Sequence, residues 1–324
     1  MGAGSWGTAL AVQFARSGRH VRLWGRDSDA LAAMSDAREN RRYLPGVRFP
    51  DSLAPCGDLR ACLDGVRDIL IAVPSDAFRE TLMKVQPLLR GDERICWATK
   101  GIELSTGKLP HQVVADFIGY ERPMAVLSGP TFAAEVGRGL PTALTIAAND
   151  HAFASDLAEA LSGSSFRAYT STDIIGVEVG GAVKNVLAIG AGISDGLGFG
   201  ANTRVALINR GLAEMTRLGL ALGAKQDTFT GLAGMGDLLL TCTDNLSRNR
   251  RMGLALARGL TIEEAQAEIQ QVVEGVPAAK AVHQVAERLG VDMPISQQIY
   301  RILYEGKEPR AAVDALMGRA LKPE

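Results

Sequence analysis

The glycines at the start of the chain constrain its fold more than any other feature. The chain begins MGAGSWGTALA, in which Gly2, Gly4 and Gly7 form a Gly-x-Gly-x-x-Gly loop. A helix-forming stretch follows Gly7, and the strand-like segment HVRLW begins at His20. Loop, helix and strand in this order predict part of a βαβ unit, whose loop lets a dinucleotide pyrophosphate approach a helix N-terminus. The alternative, a glycine-rich tail, does not account for the helix and strand that follow.

Such a loop normally follows a buried strand, but here only Met1 precedes it. We therefore expect the first strand of the unit to be absent from this chain. That strand normally lies in the middle of the sheet, so its loss would leave backbone groups unpaired and open a groove in the core. Restoring about five or six apolar residues before Gly2 should then raise the melting temperature and tighten dinucleotide binding.

Short apolar segments alternate with helical patterns through the first half of the chain. The strand-like segments are 20–24, 68–73, 94–98, 123–127 and 142–148, with a weaker candidate at 166–169. Several of them are apolar throughout, as expected for parallel strands covered by helices on both faces. The alternation predicts an α/β fold, namely a Rossmann-type doubly wound sheet whose first strand is missing.

The strand patterns end after about Thr172, and helical patterns continue from there to the C-terminus. Within this half, Thr261 followed by Glu264 is typical of a capping box. We therefore predict a dinucleotide-binding Rossmann domain at residues 1–175 and an all-α substrate domain at residues 176–324.

Composition excludes several functional classes. The 35 basic and 36 acidic residues give a net charge of −1, so nothing favours a nucleic-acid or membrane-surface partner. Uninterrupted apolar runs are too short to span a bilayer, and no signal-peptide pattern is visible. The four cysteines and four histidines are scattered, which predicts no metal site. We expect a cytoplasmic protein without membrane insertion.

The residue that follows the second strand of such a fold selects the cofactor. An acidic residue there binds both ribose hydroxyls of NAD, whereas this strand runs into Gly25, Arg26 and Asp27. Arg26 is placed to meet a 2′-phosphate, which favours NADP, and Asp27 fits the N-cap of the next helix. A solvated arginine without a ligand is the alternative for Arg26.

Ligands of doubly wound sheets bind outside the carboxyl ends of the strands. Lys100 follows the predicted strand at 94–98, and Gly129 and Thr131 follow the strand at 123–127. These residues predict a ligand cleft, although an ordinary surface lysine is the alternative for Lys100.

Two helical segments carry further candidates. In GGAVKNVLAIGAG, Lys184 lies at the centre of a stripe of small residues, open to a ligand or another helix. Helix packing with Lys184 reaching out to solvent is the alternative. In DNLSRNRRMG, Ser247 fits an N-cap and places Arg248 and Asn249 in a first turn, where the helix dipole prefers anions. A phosphate would resolve that mismatch, and a solvated basic turn is the alternative.

Together these segments resemble the NAD(P)-dependent glycerol-3-phosphate dehydrogenases of the bacterial type. The matching text includes GAGSWGTALA, WATKGIE, SGPTFAAEV, GGAVKNVLAIGAGISDGLGFGANTRVALI, GLAGMGDLLLTCTDNLSRNR and VVEG, in order along nearly the whole chain. The resemblance implies a Rossmann domain followed by a helical domain, usually as a homodimer. It also implies reversible hydride transfer between NAD(P)H and dihydroxyacetone phosphate, giving sn-glycerol 3-phosphate for phospholipid synthesis.

The resemblance further implies roles for individual residues. The position of Lys184 is that of the catalytic acid or base. Cofactor contacts are implied for Gly2, Gly4, Ser5, Trp6, Gly7, Arg26, Lys100, Ala133, Arg248, Val272 and Glu274. Substrate contacts are implied for Lys100, Gly129, Thr131, Lys184, Asp237, Ser247, Arg248 and Asn249. No metal is needed, because a nicotinamide supplies the redox chemistry.

Proton transfer near neutral pH requires a modified lysine. A free lysine has a pKa of about 10.4, and a second cation such as Lys100, or partial burial, would lower the pKa of Lys184. Two alternatives stay open. Another NADP-dependent hydroxyacid-type dehydrogenase need not carry the SRNR text, and a non-catalytic NADP-binding sensor could dispense with Lys184.

Overall fold

The computed structural model describes residues 1–320, which fall into two compact units. The first unit comprises Met1–Lys100 and Leu109–Val177. The second begins at Glu178 and also includes the short segment Gly101–Lys108.

The first unit is an α/β structure, as predicted. Its strands are β1 (Val21–Trp24), β2 (Leu53–Cys56), β3 (Asp68–Ile71), β4 (Arg94–Trp97), β5 (Met124–Ser128), β6 (Thr142–Ala148) and β7 (Phe166–Ser171). Its helices are α1 (Ser5–Arg16), α2 (Ser28–Ala37), α3 (Leu59–Leu63), α4 (Phe78–Val85), α5 (Pro110–Ile118), α6 (Ala133–Arg138) and α7 (His151–Leu161). β1 and β2 form a parallel pair, and the other strands form a second sheet in the order β3-β4-β5-β6-β7.

Two features of these sheets differ from the prediction. The sequence pattern does not predict β2, because its four residues, LAPC, are few and include a proline. Pro55 lies opposite Leu23 on an edge strand, where proline is tolerated. β6 runs antiparallel to β5, whereas a doubly wound sheet predicts a parallel strand. Antiparallel neighbours need no crossover connection, so the segment with the short helix α6, which packs against α1, is sufficient to join them. α7 then provides a crossover that makes β7 parallel to β6.

The glycine loop joins the two sheets at one end. The Gly2 N–H donates to the Trp24 carbonyl of β1 at 2.9 Å, and the Ala72 N–H, just after β3, donates to the Met1 carbonyl at 2.8 Å. Along the rest of their length β1 and β3 lie on either side of a groove of about 970 Å³. The sequence predicts such a groove in the core, and the structure contains it.

The second unit is helical, and no strand occurs between residues 172 and 320. Its helices are α8 (Ile174–Gly196), which begins at the end of the first unit, α9 (Ala201–Ala221), α10 (Asp237–Thr243), α11 (Arg248–Ala257), α12 (Ile262–Ile269), α13 (Gly275–Leu289), α14 (Pro294–Tyr304) and α15 (Pro309–Met317). The predicted capping box is present, because Thr261 and Glu264 exchange side chain–backbone bonds of 3.2 and 2.8 Å.

α8 is the buried central helix of this half of the chain. By length and composition it could cross a membrane, with a mean hydropathy of 1.5, but 89% of its most apolar window is buried inside the protein. A buried core helix passes the same test as a membrane span. The sequence pattern predicts this helix; Glu178, Lys184 and several glycines interrupt its apolar text, so no uninterrupted apolar run in it is long enough to span a bilayer.

Candidate active site

The glycine loop leaves the N-terminus of α1 open. Gly2 has φ +97°, a conformation that favours glycine, and a Cβ on Gly7 would lie 1.9 Å from the Gly2 carbonyl oxygen. Gly4 is the N-cap, and no side chain of residues 1–320 caps this helix. A Cβ on Gly4 would meet no protein atom within 4 Å. The first N–H groups of α1 therefore have no side-chain cap and are open to an anion such as a pyrophosphate.

Two further residues shape this end of α1. The Trp6 indole nitrogen is buried and has no hydrogen-bond partner within the described chain, so its N–H can donate to an acceptor atom of a ligand. Asn40 is fully buried and donates to the Ala3 carbonyl at 3.0 Å and to the Thr8 hydroxyl at 2.8 Å. Asn40 thereby fixes the loop. Sequence reasoning missed it, because nothing in its neighbourhood signals a contact 37 residues away.

Other predicted ligand residues lie at the carboxyl ends of strands. Arg26 follows β1 and is exposed, and Asp27 caps α2 by accepting from the Ala30 N–H at 3.0 Å. Lys100 follows β4, where the neighbouring Thr99 hydroxyl donates to the Val73 carbonyl at 2.7 Å. These strand ends lie at the edge of the unit that also carries the glycine loop, as the general rule for ligand sites in such folds requires.

The turn after β5 belongs to the same edge. A Cβ on Gly129 would lie 2.9 Å from the Cα of Leu144, so only glycine allows β6 to pass this close. The Thr131 hydroxyl donates to the Gly129 carbonyl at 3.1 Å, and Ala133 begins α6. The first unit thus gathers the loop residues, Arg26, Lys100 and this turn along one edge.

In the second unit, Lys184 is held in a buried ion pair. It is 6% exposed and Asp237 is 1% exposed. The Lys184 ammonium donates to the Asp237 carboxylate and, at 3.1 Å, to the Thr241 hydroxyl. Thr241 in turn donates to the Asp237 carbonyl at 2.6 Å. Lys184 therefore does not reach out to solvent, and that alternative is wrong. The sequence reasoning missed Thr241, although its position one turn after Asp237 on α10 is a usable signal.

The neighbouring thiol takes no part in this charge network. Cys242 is fully buried, and burial raises the pKa of its thiol to about 12. It therefore stays neutral at physiological pH and is not a nucleophile. No group of three or more residues with metal-binding side chains occurs within residues 1–320.

The small residues around Lys184 serve helix packing. A Cβ on Gly180 would lie 2.4 Å from the Ala233 carbonyl oxygen, and one on Gly192 would lie 2.1 Å from the Arg250 carbonyl oxygen. The glycines therefore let α8 approach two neighbouring segments closely. Helix packing therefore explains the glycines of this stripe, and the buried ion pair with Asp237 explains the lysine at its centre.

The N-terminus of α11 is supported by a second buried network. The Ser247 hydroxyl accepts from the Arg250 N–H at 3.2 Å, as the predicted N-cap requires. The Arg250 guanidinium donates to Asp195 and to the Asn245 side chain. Arg248 is different, since it is half-buried and its guanidinium has no hydrogen-bond acceptor among the described residues. Of these arginines, Arg248 is therefore the one placed to bind an anion at the helix N-terminus.

Asn249 links α11 to two other helices. Its amide group donates to the Asn185 side chain at 2.9 Å, and its carbonyl oxygen accepts from the Gly275 N–H at 2.9 Å. This bond brings Glu274, the residue before α13, close to the network. Val272, two residues earlier, is 53% exposed. Sequence reasoning missed Asn185, whose buried side-chain nitrogen has no partner within residues 1–320. That nitrogen is a donor available to a ligand.

The fold and these residues define a class of protein: a dehydrogenase with a Rossmann-type nucleotide-binding unit and a helical unit that carries a buried lysine. Two family models match the chain. One, described as the N-terminus of NAD-dependent glycerol-3-phosphate dehydrogenase, covers residues 1–154, and the other, described as its C-terminus, covers residues 173–314. The chain belongs to the NAD-dependent glycerol-3-phosphate dehydrogenase family.

Individual relatives agree with this assignment over their whole length. The glycerol-3-phosphate dehydrogenase (NAD(P)+) of Photobacterium profundum is 55% identical, with 100% of this chain and 96% of the relative aligned. That of Klebsiella pneumoniae is also 55% identical over the same shares. The crystal structure of glycerol-3-phosphate dehydrogenase from Coxiella burnetii is 52% identical, with a TM-score of 0.95 over 98% of this chain and 97% of that one. The predicted family and fold class are confirmed.

Proposed function

We propose that this protein catalyses reversible hydride transfer between NAD(P)H and dihydroxyacetone phosphate, giving sn-glycerol 3-phosphate. The observation that carries the proposal is the buried Lys184 ammonium, fixed by Asp237 and Thr241, in a chain whose glycine loop leaves a helix N-terminus open. Membership of the family supports the choice of substrate.

The glycine-loop edge of the first unit would hold the cofactor. The N–H groups at the start of α1 would bind the pyrophosphate, and the Trp6 indole would donate to one of its oxygens. Arg26 would pair with a 2′-phosphate, which favours NADP while leaving NAD usable. When bound, the nicotinamide supplies or accepts the hydride.

Lys184 acts on the substrate carbonyl. Negative charge develops on the carbonyl oxygen as the alcohol forms, and the Lys184 ammonium stabilises that charge and donates a proton from Nζ. Asp237 and Thr241 orient Nζ and hold the ammonium in place before transfer. In the reverse direction the neutral amine accepts the proton from the alcohol.

Arg248 binds the substrate phosphate. It lies at the N-terminus of α11, where the helix dipole also favours an anion, and Ser247 and Asn249 hold that end of the helix in place. The resemblance supplies the remaining contacts. These are Lys100 with cofactor and substrate, Gly129 and Thr131 with substrate, and Ala133, Arg248, Val272 and Glu274 with cofactor.

The cellular setting is also part of the proposal. The product is a precursor of glycerophospholipids, and the protein acts in the cytoplasm as a homodimer. The family resemblance supports the pathway and the dimer, and the balanced charge supports a soluble setting without a nucleic-acid partner.

One assay tests the proposed activity against both alternatives. NADPH oxidation is followed with dihydroxyacetone phosphate, with unphosphorylated dihydroxyacetone and with a series of 2-keto acids. We expect turnover with dihydroxyacetone phosphate alone at micromolar to millimolar concentrations. Preference for a 2-keto acid would indicate a hydroxyacid dehydrogenase, and NADPH binding without oxidation of any substrate would indicate a sensor.

A further inference from the structure

Two of the four cysteines lie together at one turn of the first unit. Cys56 is the last residue of β2, and Cys62 lies on α3, the helix that follows. The Cys56 thiol donates to the Asp58 carbonyl at 3.2 Å, and the Cys62 N–H donates to the same oxygen at 2.9 Å. The sulfur of Cys56 and the backbone of Cys62 are therefore held against one atom.

The Cys62 side chain lies next to the Cys56 thiol. The two thiols share a hydrogen bond, and burial, followed by repulsion from Cys56, raises the pKa of Cys62 to about 12. The Cys62 sulfur also lies 3.9 Å from the Arg22 carbonyl, to which it donates. No third residue with a metal-binding side chain completes a metal site here, as elsewhere in residues 1–320. The arrangement is that of a dithiol pair.

A side chain from β1 fixes the helix that carries Cys62. Arg22 lies opposite Ala54 of β2 and donates to the carbonyls of Ala61 at 2.9 Å and Asp64 at 2.5 Å. These bonds fasten the C-terminal end of α3 to the β1–β2 pair. Because β2 fixes one cysteine and this contact fixes the helix of the other, the fold itself brings the two thiols together.

The four thiols differ in their access to solvent. Cys56 is half-buried, whereas Cys62 is only 4% exposed and can be reached from Cys56. Cys96 and Cys242 are buried, and burial raises the pKa of each of these two thiols. A small thiol-reactive molecule should therefore react first with Cys56.

We propose that Cys56 and Cys62 form a reversible disulfide by exchange with a small-molecule disulfide such as oxidised glutathione. The Cys56 thiolate attacks one sulfur of the reagent, a mixed disulfide forms, and half of the reagent leaves as a thiolate. The Cys62 thiolate then attacks the Cys56 sulfur, and the other half leaves. The protons of the two cysteines pass to the released thiolates, so the protein loses two electrons and the reagent becomes two thiols. This inference does not depend on the catalytic proposal.

The test incubates the folded protein with mixtures of oxidised and reduced glutathione and maps every thiol by alkylation and mass spectrometry. We expect the thiols of Cys56 and Cys62 to be lost together, joined by one disulfide, and to be restored by dithiothreitol. Cys96 and Cys242 are the internal references and should stay reduced.

Two variants separate the steps of the exchange. Cys62→Ala should accumulate the mixed disulfide of Cys56 with glutathione, at least about tenfold more than the parent, because the neighbouring thiol that displaces glutathione is gone. Cys56→Ser keeps a hydroxyl donor for the Asp58 carbonyl and should leave Cys62 reduced.

An equilibrium measurement tests whether the fold brings the thiols together. A disulfide that suits the folded chain is favoured there over the unfolded chain. We expect the equilibrium constant for exchange with glutathione to be at least about tenfold greater in the folded parent than in urea. Equal constants, a bond between Cys62 and Cys96, or thiols at Cys56 and Cys62 that stay reduced in oxidised glutathione would overturn the proposal. So would a parent that keeps as much mixed disulfide as Cys62→Ala.

Discussion

The two candidate sites are built by opposite physical means. The glycine-loop edge of the first unit depends on missing side chains, because Gly4 keeps a helix N-terminus clear and Gly7 lets that helix start against the loop. The site in the second unit works through buried charge, where Lys184 and Asp237 pair almost out of contact with water. The first should therefore be sensitive to added atoms, and the second to removed charges.

This contrast also bears on stability. The glycine loop presents backbone N–H groups and buries no charged side chain. A small side chain added at Gly4, where space is free, should therefore have little effect on folding. A buried ion pair is different, since removal of one partner leaves an uncompensated charge in the core. Variants of the second site therefore need a folding control, whereas variants at Gly4 do not depend on one in the same way.

The largest expected effect is the loss of the Lys184 ammonium. Lys184→Met should lower kcat by about 10²–10⁴-fold or more, because proton donation and charge stabilisation act in the transition state. NADPH affinity should change much less. Lys184→Arg should rescue little, since arginine does not give up its proton. Steady-state kinetics and a separate NADPH titration measure both quantities.

The folding control for this variant follows from the ion pair. Lys184→Met alone leaves Asp237 buried and unpaired, which costs about 3–5 kcal/mol. The double variant Lys184→Met/Asp237→Asn should regain much of the lost stability but none of the activity. Near-parental turnover in a folded single variant would remove Lys184 from its proposed role, and Lys100 would be the next candidate.

Arg248→Ala should have the next largest effect. Loss of a charge-assisted hydrogen bond costs about 1.5–3 kcal/mol, equivalent to a rise of about 12- to 140-fold in the KM for dihydroxyacetone phosphate. The matched control is Arg258→Ala at the other end of α11, where Arg258 is exposed and pairs with Glu268. An unchanged KM for Arg248→Ala, or an equal rise for both variants, would place the phosphate elsewhere.

Gly4→Ala tests recognition by missing atoms. A Cβ at this position meets no protein atom within 4 Å, so the melting temperature without ligand should fall only slightly, by the modest cost of alanine at an N-cap. The methyl group should weaken NADPH binding by about tenfold or more, because it occupies the space proposed for the pyrophosphate. Gly57→Ala, whose Cβ also meets nothing within 4 Å, is the control. Parental affinity in both variants would contradict the pyrophosphate assignment.

Arg26→Ala tests the choice between the two nicotinamide cofactors. Arg26 is exposed, so we expect a smaller effect, a rise of several-fold to about tenfold in the KM for NADPH, with little change for NADH. Arg60→Ala, an exposed arginine in the same unit, should alter neither constant. An equal rise in the KM for NADPH and for NADH would exclude a contact between Arg26 and the 2′-phosphate.

The smallest effect concerns a buried carboxylate outside the catalytic network. Burial raises the pKa of Glu214, although the Ile295 and Ser296 N–H groups donate to it. Its contribution to stability is present below the unfolded pKa of about 4.3 and is lost as the pH rises through the folded pKa. The free energy of unfolding of Glu214→Gln, relative to the parent, should therefore increase over that window.

An exposed carboxylate provides the control for this measurement. The hydrogen bond from Lys84 lowers the pKa of Glu80, so its contribution is present above the unfolded pKa and lost as the pH falls. Glu80→Gln should show a slight pH dependence of the opposite sign. Parallel curves for the Glu214 variant and the parent as the pH rises above about 4.3 would show that the pKa of Glu214 is not raised in solution.

The sequence alone determined the features that depend on local pattern. The glycine spacing at Gly2, Gly4 and Gly7, the apolar strand segments and the capping box at Thr261 are local, so the α/β and all-α halves could be predicted from them. The resemblance then placed Lys184 and Arg248 in a family whose models match the chain. Local patterns carry this information because helix and strand periods are properties of short segments.

Only the tertiary structure decided which side chains meet. The partners of Lys184 lie 53 and 57 residues away, and Asn40 reaches a loop 37 residues before it. No period or spacing encodes such contacts, because they arise when distant segments pack. The same is true of β2, whose proline-containing text becomes a strand only beside β1, and of the antiparallel direction of β6. Whether such a segment becomes a strand, and in which direction it runs, depends on pairing with a neighbouring strand rather than on the segment's own residues.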